Sequence, residues 1–217
     1  MSLLLAIESS SNVYRVVLGR EGEVIFDSAY DDCDVRFRTL DALLVCGLQS
    51  INATTNEIAG ITMNIGPGSL TFVRAGISFA NALAFSLRVG IYPFNWFQIM
   101  ANQTKAVTSL PVVCAVPAAN DNAYVGLVRG PSVEVMRFGV LPVALALVSN
   151  GLTEVAVAGR IRDRLTSLLN SVTAVDTRME NPDARVLLQL GFEAMRGGAP
   201  STNHVEALND QSPLFYE

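Results

Sequence analysis

Apolar and polar positions along the first half of the chain predict strands first and helices after them. Apolar runs over residues 3–8, 13–20 and 23–30 predict three strands, with "REGE" as a hairpin turn between the last two. Further along, the pattern predicts a helix over 36–51, a strand at "GITMNIG", a helix over 69–87, a strand at "VGIYPF" and a helix over 96–106. The first half is therefore a three-stranded meander followed by alternating helices and strands.

The same order of elements begins again near residue 108. Three strand-like runs, "PVVCAVPA", "NAYVGLVRG" and "SVEVMRFG", are separated by turn residues. They precede helices over 141–149, 160–170 and 182–196, the last begun by Asn181–Pro182, and strands at "EVAVAG" and "VTAVD". The repeated order predicts an α/β fold of two similar units, each a mixed sheet covered by helices, with domains at 1–106 and 107–217 and an irregular segment over 199–217.

The helix predicted over 69–87 carries two apolar stripes. One stripe contains Val73, Ile77, Ala80, Ala84 and Leu87, and the other contains Phe72, Gly76, Phe79 and Leu83. Small residues between them would let another helix approach closely, which suits packing between subunits. The alternative is that the domain itself covers both stripes. The predicted partner interface consists of Leu70, Phe72, Val73, Gly76, Ile77, Phe79, Ala80 and Leu83.

Composition and charge narrow the class of protein. The chain has 217 residues, half of them apolar, and a net charge of -5 without a stripe of Lys and Arg. It can bury a sizeable core, and the charge argues against direct binding of nucleic acid. The apolar run "LLLAI" is too short for a signal sequence or a membrane span. We expect a cytoplasmic protein that does not bind a membrane.

The cysteines and the single histidine give no metal or disulfide pattern. Cys33, Cys46 and Cys114 are odd in number and widely spaced, so we expect buried, reduced thiols. His204 has no second His or Cys at ligand spacing, and therefore no transition-metal site is predicted.

The end of the first predicted strand is one candidate for chemistry. Glu8 is followed by Ser9, Ser10 and Ser11, whose amides and hydroxyls could cradle a phosphate, while the carboxylate could hold a hydrated metal ion. The alternative is a polar hairpin turn without a ligand, since hydroxylated turns are common in sheets.

The second candidate is the turn "GPGSLTFVRAG". Gly66 and Gly68 permit unusual backbone angles, and Ser69 can cap the following helix, whose first amides are free for an anion. No Lys follows the turn, so it is not the phosphate loop of nucleoside triphosphatases. Capping of the helix alone remains the alternative.

These residues resemble the TsaB (YeaZ) family, accessory proteins in the threonylcarbamoyl modification of the tRNA adenosine next to the anticodon. The resemblance rests on "LLAIESSS", "GPGSLTFVRAGI" and the terminal "SPLFYE", and in order it spans almost the whole chain. It implies two ribonuclease H-like (actin-like ATPase) domains with mixed five-stranded sheets. It also implies a partner protein without activity of its own, which pairs through the 69–87 helix with itself or with a TsaD-like subunit, and which works alongside a TsaE-like ATPase.

The chain departs from the family pattern at several positions. Phe72 replaces a Gly, "DDCDVRFRTLDALL" lacks the His-Ser of the helix start, "AVPAANDNAYVGL" replaces an Asp-Ala-Arg, and "VAGRIRD" lacks a glycine-acid-glycine turn. His204 cannot supply the His-x-x-x-His metal pair of catalytic relatives, so a metalloprotease is not expected. The departures imply a divergent paralogue with weak or absent binding of ATP and magnesium.

Two other functions remain open on the sequence. A small actin-like kinase or ATPase would use Glu8, the serine turn and an acid such as Asp121 or Asp163. A stand-alone homodimer with a role outside tRNA modification would use the 69–87 helix alone.

Overall fold

The computed structural model describes residues 3–33 and 38–216. The first unit comprises Met1–Asn95 and Asp183–Ala207, and the second comprises Trp96–Pro182 and Leu208–Glu217. The elements run β1 Leu3–Glu8, β2 Arg15–Arg20, β3 Glu23–Asp27, α1 Leu40–Ser50, β4 Ile58–Asn64, α2 Leu70–Leu87, β5 Gly90–Phe94, α3 Trp96–Thr104, β6 Val112–Pro117, β7 Asn122–Arg129, β8 Ser132–Val140, α4 Leu141–Val148, β9 Glu154–Ala158, α5 Arg162–Leu168, β10 Thr173–Asp176 and α6 Ala184–Arg196. Short 3₁₀ turns lie at Thr55–Glu57 and Pro213–Phe215.

The first unit is built on a mixed five-stranded sheet in the order β3-β2-β1-β4-β5. Strand β1 pairs antiparallel with β2 and parallel with β4, so it lies at the centre of the sheet. Because side chains alternate along a strand, Leu3, Leu5 and Ile7 join the core formed with α1 and α2. Leu4 points to the other face, where it meets α6 at Gly191. Both faces of this sheet are therefore covered.

Helix α6 packs closely on the sheet of the first unit because glycines lie at the contact. A Cβ at Gly191 would lie 2.7 Å from Thr62 Cβ, and one at Gly19 would lie 2.6 Å from Leu188 Cδ2. The start of the helix is tied to β3, since Arg185 Nε donates to Asp27 Oδ2 over 2.6 Å. The returning C-terminal helix thus completes the first unit.

The second unit repeats this topology. Its sheet has the order β10-β9-β6-β7-β8, which equals the order of the first sheet when β6 is matched with β1. One face packs against α4 and α5, with Val113, Val125 and Val157 in the core. The other face packs against α3, where Trp96 and Phe97 are joined by Phe215 from the C-terminal segment. The predicted fold class, two mixed five-stranded sheets flanked by helices, is confirmed.

The compact units differ from the predicted boundary at 106/107. The side chains of α3 are part of the core of the second sheet, whereas α6 returns to the first sheet. A single boundary in the sequence cannot assign α3 to the second unit and α6 to the first. That assignment depends on which sheet face each helix covers.

Two details of the helix starts differ from the sequence predictions. Helix α6 begins at Ala184 and is capped by Asp183, whose side chain accepts from Arg185 N, so Asn181–Pro182 precedes the helix. Helix α1 begins at Leu40, and the first residues of the helix predicted from 36 lie outside the described residues. Among the described helices, α2 is long and apolar enough by length and composition to cross a membrane, but one stripe of it lies in the core of the first unit.

The expectation of three reduced thiols is wrong for two of them. Cys33 and Cys46 form a disulfide that ties the segment after β3 to α1, with their Cα atoms 6.1 Å apart. Cys114 on β6 is buried and free, as expected, and its burial raises the pKa of the thiol. Sequence spacing could not reveal the disulfide, because it depends on how the segment after β3 folds back onto the helix.

Candidate functional site

The carboxyl end of β1 and the carboxyl end of β4 form one polar cluster in the first unit. Glu8 is 3% exposed, and its Oε1 accepts hydrogen bonds from the amide and the hydroxyl of Ser10, both over 2.6 Å. Asn64 at the end of β4 donates to Glu8 Oε2 over 2.6 Å. The parallel register of β1 and β4 brings the two strand ends together. A buried carboxylate is thus held by three donor groups.

The glycine turn before α2 is packed onto the same cluster. Ser69 N donates to Ser10 O over 2.9 Å, and Gly66 N donates to Asn64 Oδ1 over 2.9 Å. A Cβ at Gly68 would lie 2.6 Å from Ser10 Cβ, so only glycine permits this approach. The two turns proposed from sequence as separate candidates are therefore one structure.

The serines of the cluster have different roles. Ser9 is fully buried, and its hydroxyl has no hydrogen-bond partner among the described residues. Ser11 is half-buried at the start of the loop before β2. Ser69 occupies the N-cap position of α2, but its side chain makes no capping hydrogen bond, so capping through the hydroxyl is not observed.

The electrostatics of Glu8 bear on the proposed anion site. Burial raises the pKa of this carboxyl above its usual value, and hydrogen bonds from Ser10 and Asn64 oppose the rise only in part. Two donors that a phosphate could use, the amide and the hydroxyl of Ser10, are taken by a carboxylate of the chain itself. The arrangement favours a closed polar cluster over an anion site.

The acids proposed for a kinase mechanism lie in the second unit. Asp121 pairs with Arg164 over 3.2 Å, and both side chains are exposed. Asp163 is an exposed residue in the first turn of α5. Among the described residues, no group of three or more His, Cys, Asp or Glu could hold a metal ion. The absence of a metal site in the protein stays a prediction.

Helix α2 separates the predicted interface residues into two groups. Four of them are buried in the core of the first unit: Val73, Gly76, Ile77 and Ala80. A Cβ at Gly76 would lie 2.4 Å from Ser9 Oγ, which explains the glycine by packing within the chain. The remaining residues are at least partly exposed: Leu70, Phe72, Phe79 and Leu83. Phe79 and Leu83 also pack against the core of the first unit, so only part of the surface of this second group is available to a partner.

The structure adds residues that the stripes did not include. Phe85 on α2 is 87% exposed, and Arg88 follows the helix directly. Phe72 is partly covered by the chain itself, because its ring lies 4.9 Å from that of Tyr14. Phe85 was missed because the two stripes were drawn from core-like spacing, and a side chain that faces solvent falls outside both.

Comparison with known proteins agrees with this fold. The family model for TsaD, tRNA N6-adenosine threonylcarbamoyltransferase, matches residues 35–135, slightly less than half of the chain. No curated protein sequence matches the chain.

Two solved structures from Pseudomonas aeruginosa are similar over nearly the whole chain. One is an uncharacterized protein with similarity to peptidase YEAZ, at a TM-score of 0.75 and 20% identity, covering 96% of this chain and 99% of that one. The other is YeaZ, at a TM-score of 0.72 and 21% identity, covering 96% of this chain and 100% of that one. The protein is YeaZ-like in fold along almost all of its length and similar to TsaD in sequence over residues 35–135.

Proposed function

We propose that this chain is a TsaB-type partner protein, without catalysis of its own, for a TsaD-type subunit that modifies tRNA. The single observation that carries the proposal is the set of large apolar side chains that α2 leaves at least partly exposed. Leu70 is 45% exposed and Phe85 is 87% exposed, with Phe72, Phe79 and Leu83 partly exposed between them. Large apolar side chains left exposed on the two flanks of a buried helix stripe are typical of a surface that a partner covers.

The comparisons support the choice of reaction. The YeaZ-like fold spans both units, and the TsaD model matches a region that includes all of α2. That model describes a tRNA N6-adenosine threonylcarbamoyltransferase, so the proposed partner acts on tRNA adenosine. The proposed location is the cytoplasm, where tRNA is modified.

The proposal includes divergence from typical family members. Phe72 is a large ring in a glycine block, and the two donors of Ser10 in the serine turn are used by Glu8. Both features favour a paralogue that binds a partner without binding ATP and magnesium. A second copy of the chain is the other proposed occupant of α2, and a TsaE-like ATPase is a further proposed partner of the complex.

A complementation experiment tests the proposal. Cells depleted of their TsaB-type protein receive the wild type, a Leu70→Asp/Phe85→Asp variant or a Val143→Asp control, and threonylcarbamoyladenosine in digested tRNA is measured by mass spectrometry. Val143 is a matched control because it is 61% exposed on α4 of the second unit. We expect the wild type and the control to restore the modification and the α2 variant to fail. A wild type that neither restores it nor binds a TsaD-type subunit would exclude the proposed role.

A further inference from the structure

A cavity of about 630 Å³ lies at the C-terminal end of α2, within the first unit. Its lining consists of Ala84, Phe85, Ser86, Arg88, Val89 and Asn203. Apolar surface with a few polar groups is the usual composition of a binding site. Phe85 is the most exposed large apolar side chain among the described residues. The cavity therefore continues the exposed face of α2.

Arg88 is the charged group of this cavity. It follows α2 in the left-handed region, at φ 57°, where glycine is the usual residue. Among the described residues, its side chain has no ion pair and no hydrogen bond. A cation at a helix C-terminus is favourable, which accounts for the charge. It does not account for an unpaired guanidinium that lines a cavity beside an exposed aromatic ring.

The charges on α2 indicate what the cavity binds. The helix and its C-cap carry Arg74 and Arg88 and no acidic residue, and the cavity lining has none either. A symmetric pairing of two α2 helices would bring arginines of both copies into one interface without an acid from either helix. An anionic membrane would also attract the arginines, but its planar surface fits a concave site less well than a side chain that projects from another protein. A different protein with an acidic surface satisfies both observations.

We infer that the cavity receives a carboxylate side chain from an acidic partner protein, with Arg88 as its ion-pair partner and Phe85 as the adjacent apolar contact. This inference rests on the proposed function, since it names the polar anchor of the same partner surface. An Arg beside an aromatic ring is the composition found at the strongest contacts of interfaces. Arginine can also bind a carboxylate through two parallel hydrogen bonds, which lysine cannot do.

Binding of the TsaD-type subunit from the source genome to single variants tests the inference. Calorimetric titration is carried out with the wild type, Arg88→Ala, Arg88→Lys and Arg74→Ala. We expect Arg88→Ala to weaken binding about 10-fold or more, and Arg88→Lys to restore only part of the loss. Arg74→Ala removes the same charge from the same helix outside the cavity lining, and we expect a change of less than about 2-fold.

The outcomes separate the inference from the proposed function. If the wild type binds and Arg88→Ala binds equally well, the inference fails while the proposed function stands. If the wild type binds no such subunit, both fail. Flotation with phosphatidylglycerol vesicles tests whether the cavity region binds a membrane instead. Vesicle binding by the wild type that Arg88→Ala abolishes would assign the cavity region to a membrane and overturn the inference. Equal losses in Arg88→Ala and Arg74→Ala would show a general charge effect and overturn the role of the cavity.

Discussion

At the scale of single residues, the burial of Glu8 couples the strand-end cluster to pH. Its carboxyl lies in the first unit among donors from Ser10 and Asn64, with no access to solvent that would stabilise a charge. Burial raises the pKa of Glu8 above 4.5, so the folded chain holds this proton more tightly than the unfolded chain. The contribution of Glu8 to stability is therefore complete below pH 4.5 and is lost as pH rises through the raised pKa.

We predict that Glu8→Gln removes this loss of stability with rising pH. The free energy of unfolding of the wild type should fall relative to that of the variant as pH rises above 4.5, measured by urea unfolding. In the variant, the side-chain NH2 group is a donor that faces a second donor, Asn64 Nδ2, and this lowers the free energy of unfolding by about 1–3 kcal/mol at every pH. The readout is therefore the slope of the free energy of unfolding against pH. Glu206→Gln changes an exposed acid and serves as the control. Parallel pH profiles for wild type and Glu8→Gln would contradict the prediction.

Half of this cluster could be predicted from the sequence. Glu8 and the serines are neighbours along the chain, so a turn with a carboxylate followed directly from the end of the first strand. Asn64 was not identified, because it reaches Glu8 only through the pairing of β1 with β4. The role of the carboxylate as an acceptor for the donors of the turn also depends on burial, which the local sequence does not contain.

The disulfide is the second feature at residue scale that can be tested directly. Cys114 is buried and free, whereas Cys33 and Cys46 are joined across a separation of 13 residues. We predict that the native protein shows no rapidly reacting thiol, the unfolded protein shows one, and the unfolded and reduced protein shows all three. Reduction or Cys46→Ser should lower the free energy of unfolding by about 2–3 kcal/mol. Three thiols in unfolded protein that was never reduced would exclude the disulfide.

At the scale of elements, α2 shows which part of an apolar pattern the sequence could interpret. The spacing identified Val73, Ile77 and Ala80 as one apolar stripe but placed them in the partner interface, whereas they lie in the core of the first unit. The sequence could not divide the other positions between core and surface, because that division depends on where β4 and β1 lie beneath the helix. Gly76 shows this well, since its small size serves the contact with Ser9 rather than a partner.

Phe72 and Phe85 test this division of α2 into a core face and a partner face. We predict that Phe72→Ala lowers the free energy of unfolding by about 1–3 kcal/mol, because the ring is half-buried against Tyr14. Phe85→Ala should change it by less than about 0.5 kcal/mol, because the ring is exposed. Urea unfolding of both variants provides the measurement. Similar losses for the two would show that the faces are not distinct, and each variant is the control for the other.

At the scale of the whole molecule, the order of elements was the most predictable feature. The repeated order of three strands, helix, strand, helix and strand appears in both sheets, because each strand is set by local alternation and each helix by local periodicity. The sequence did not predict that α3 belongs to the second unit and α6 to the first. Which sheet a helix covers depends on pairs such as Gly191 with Thr62 in the first unit and Gly126 with Phe97 in the second.

The net charge of the whole chain leads to a prediction that separates its two proposed associations. Two copies with a net charge of -5 repel each other, and a symmetric α2 interface adds repulsion between arginines, so added salt should strengthen self-association by screening. A complex anchored by Arg88 on a carboxylate relies on attraction, so added salt should weaken it. Sedimentation velocity from about 0.05 to 0.5 M sodium chloride measures both, with the TsaD-type subunit present or absent. We expect opposite signs for the two salt dependences, and Arg88→Ala should flatten that of the complex. A complex that tightens with salt as the self-association does would show that apolar contact alone holds it together, and the acidic character assigned to the partner would have to be abandoned.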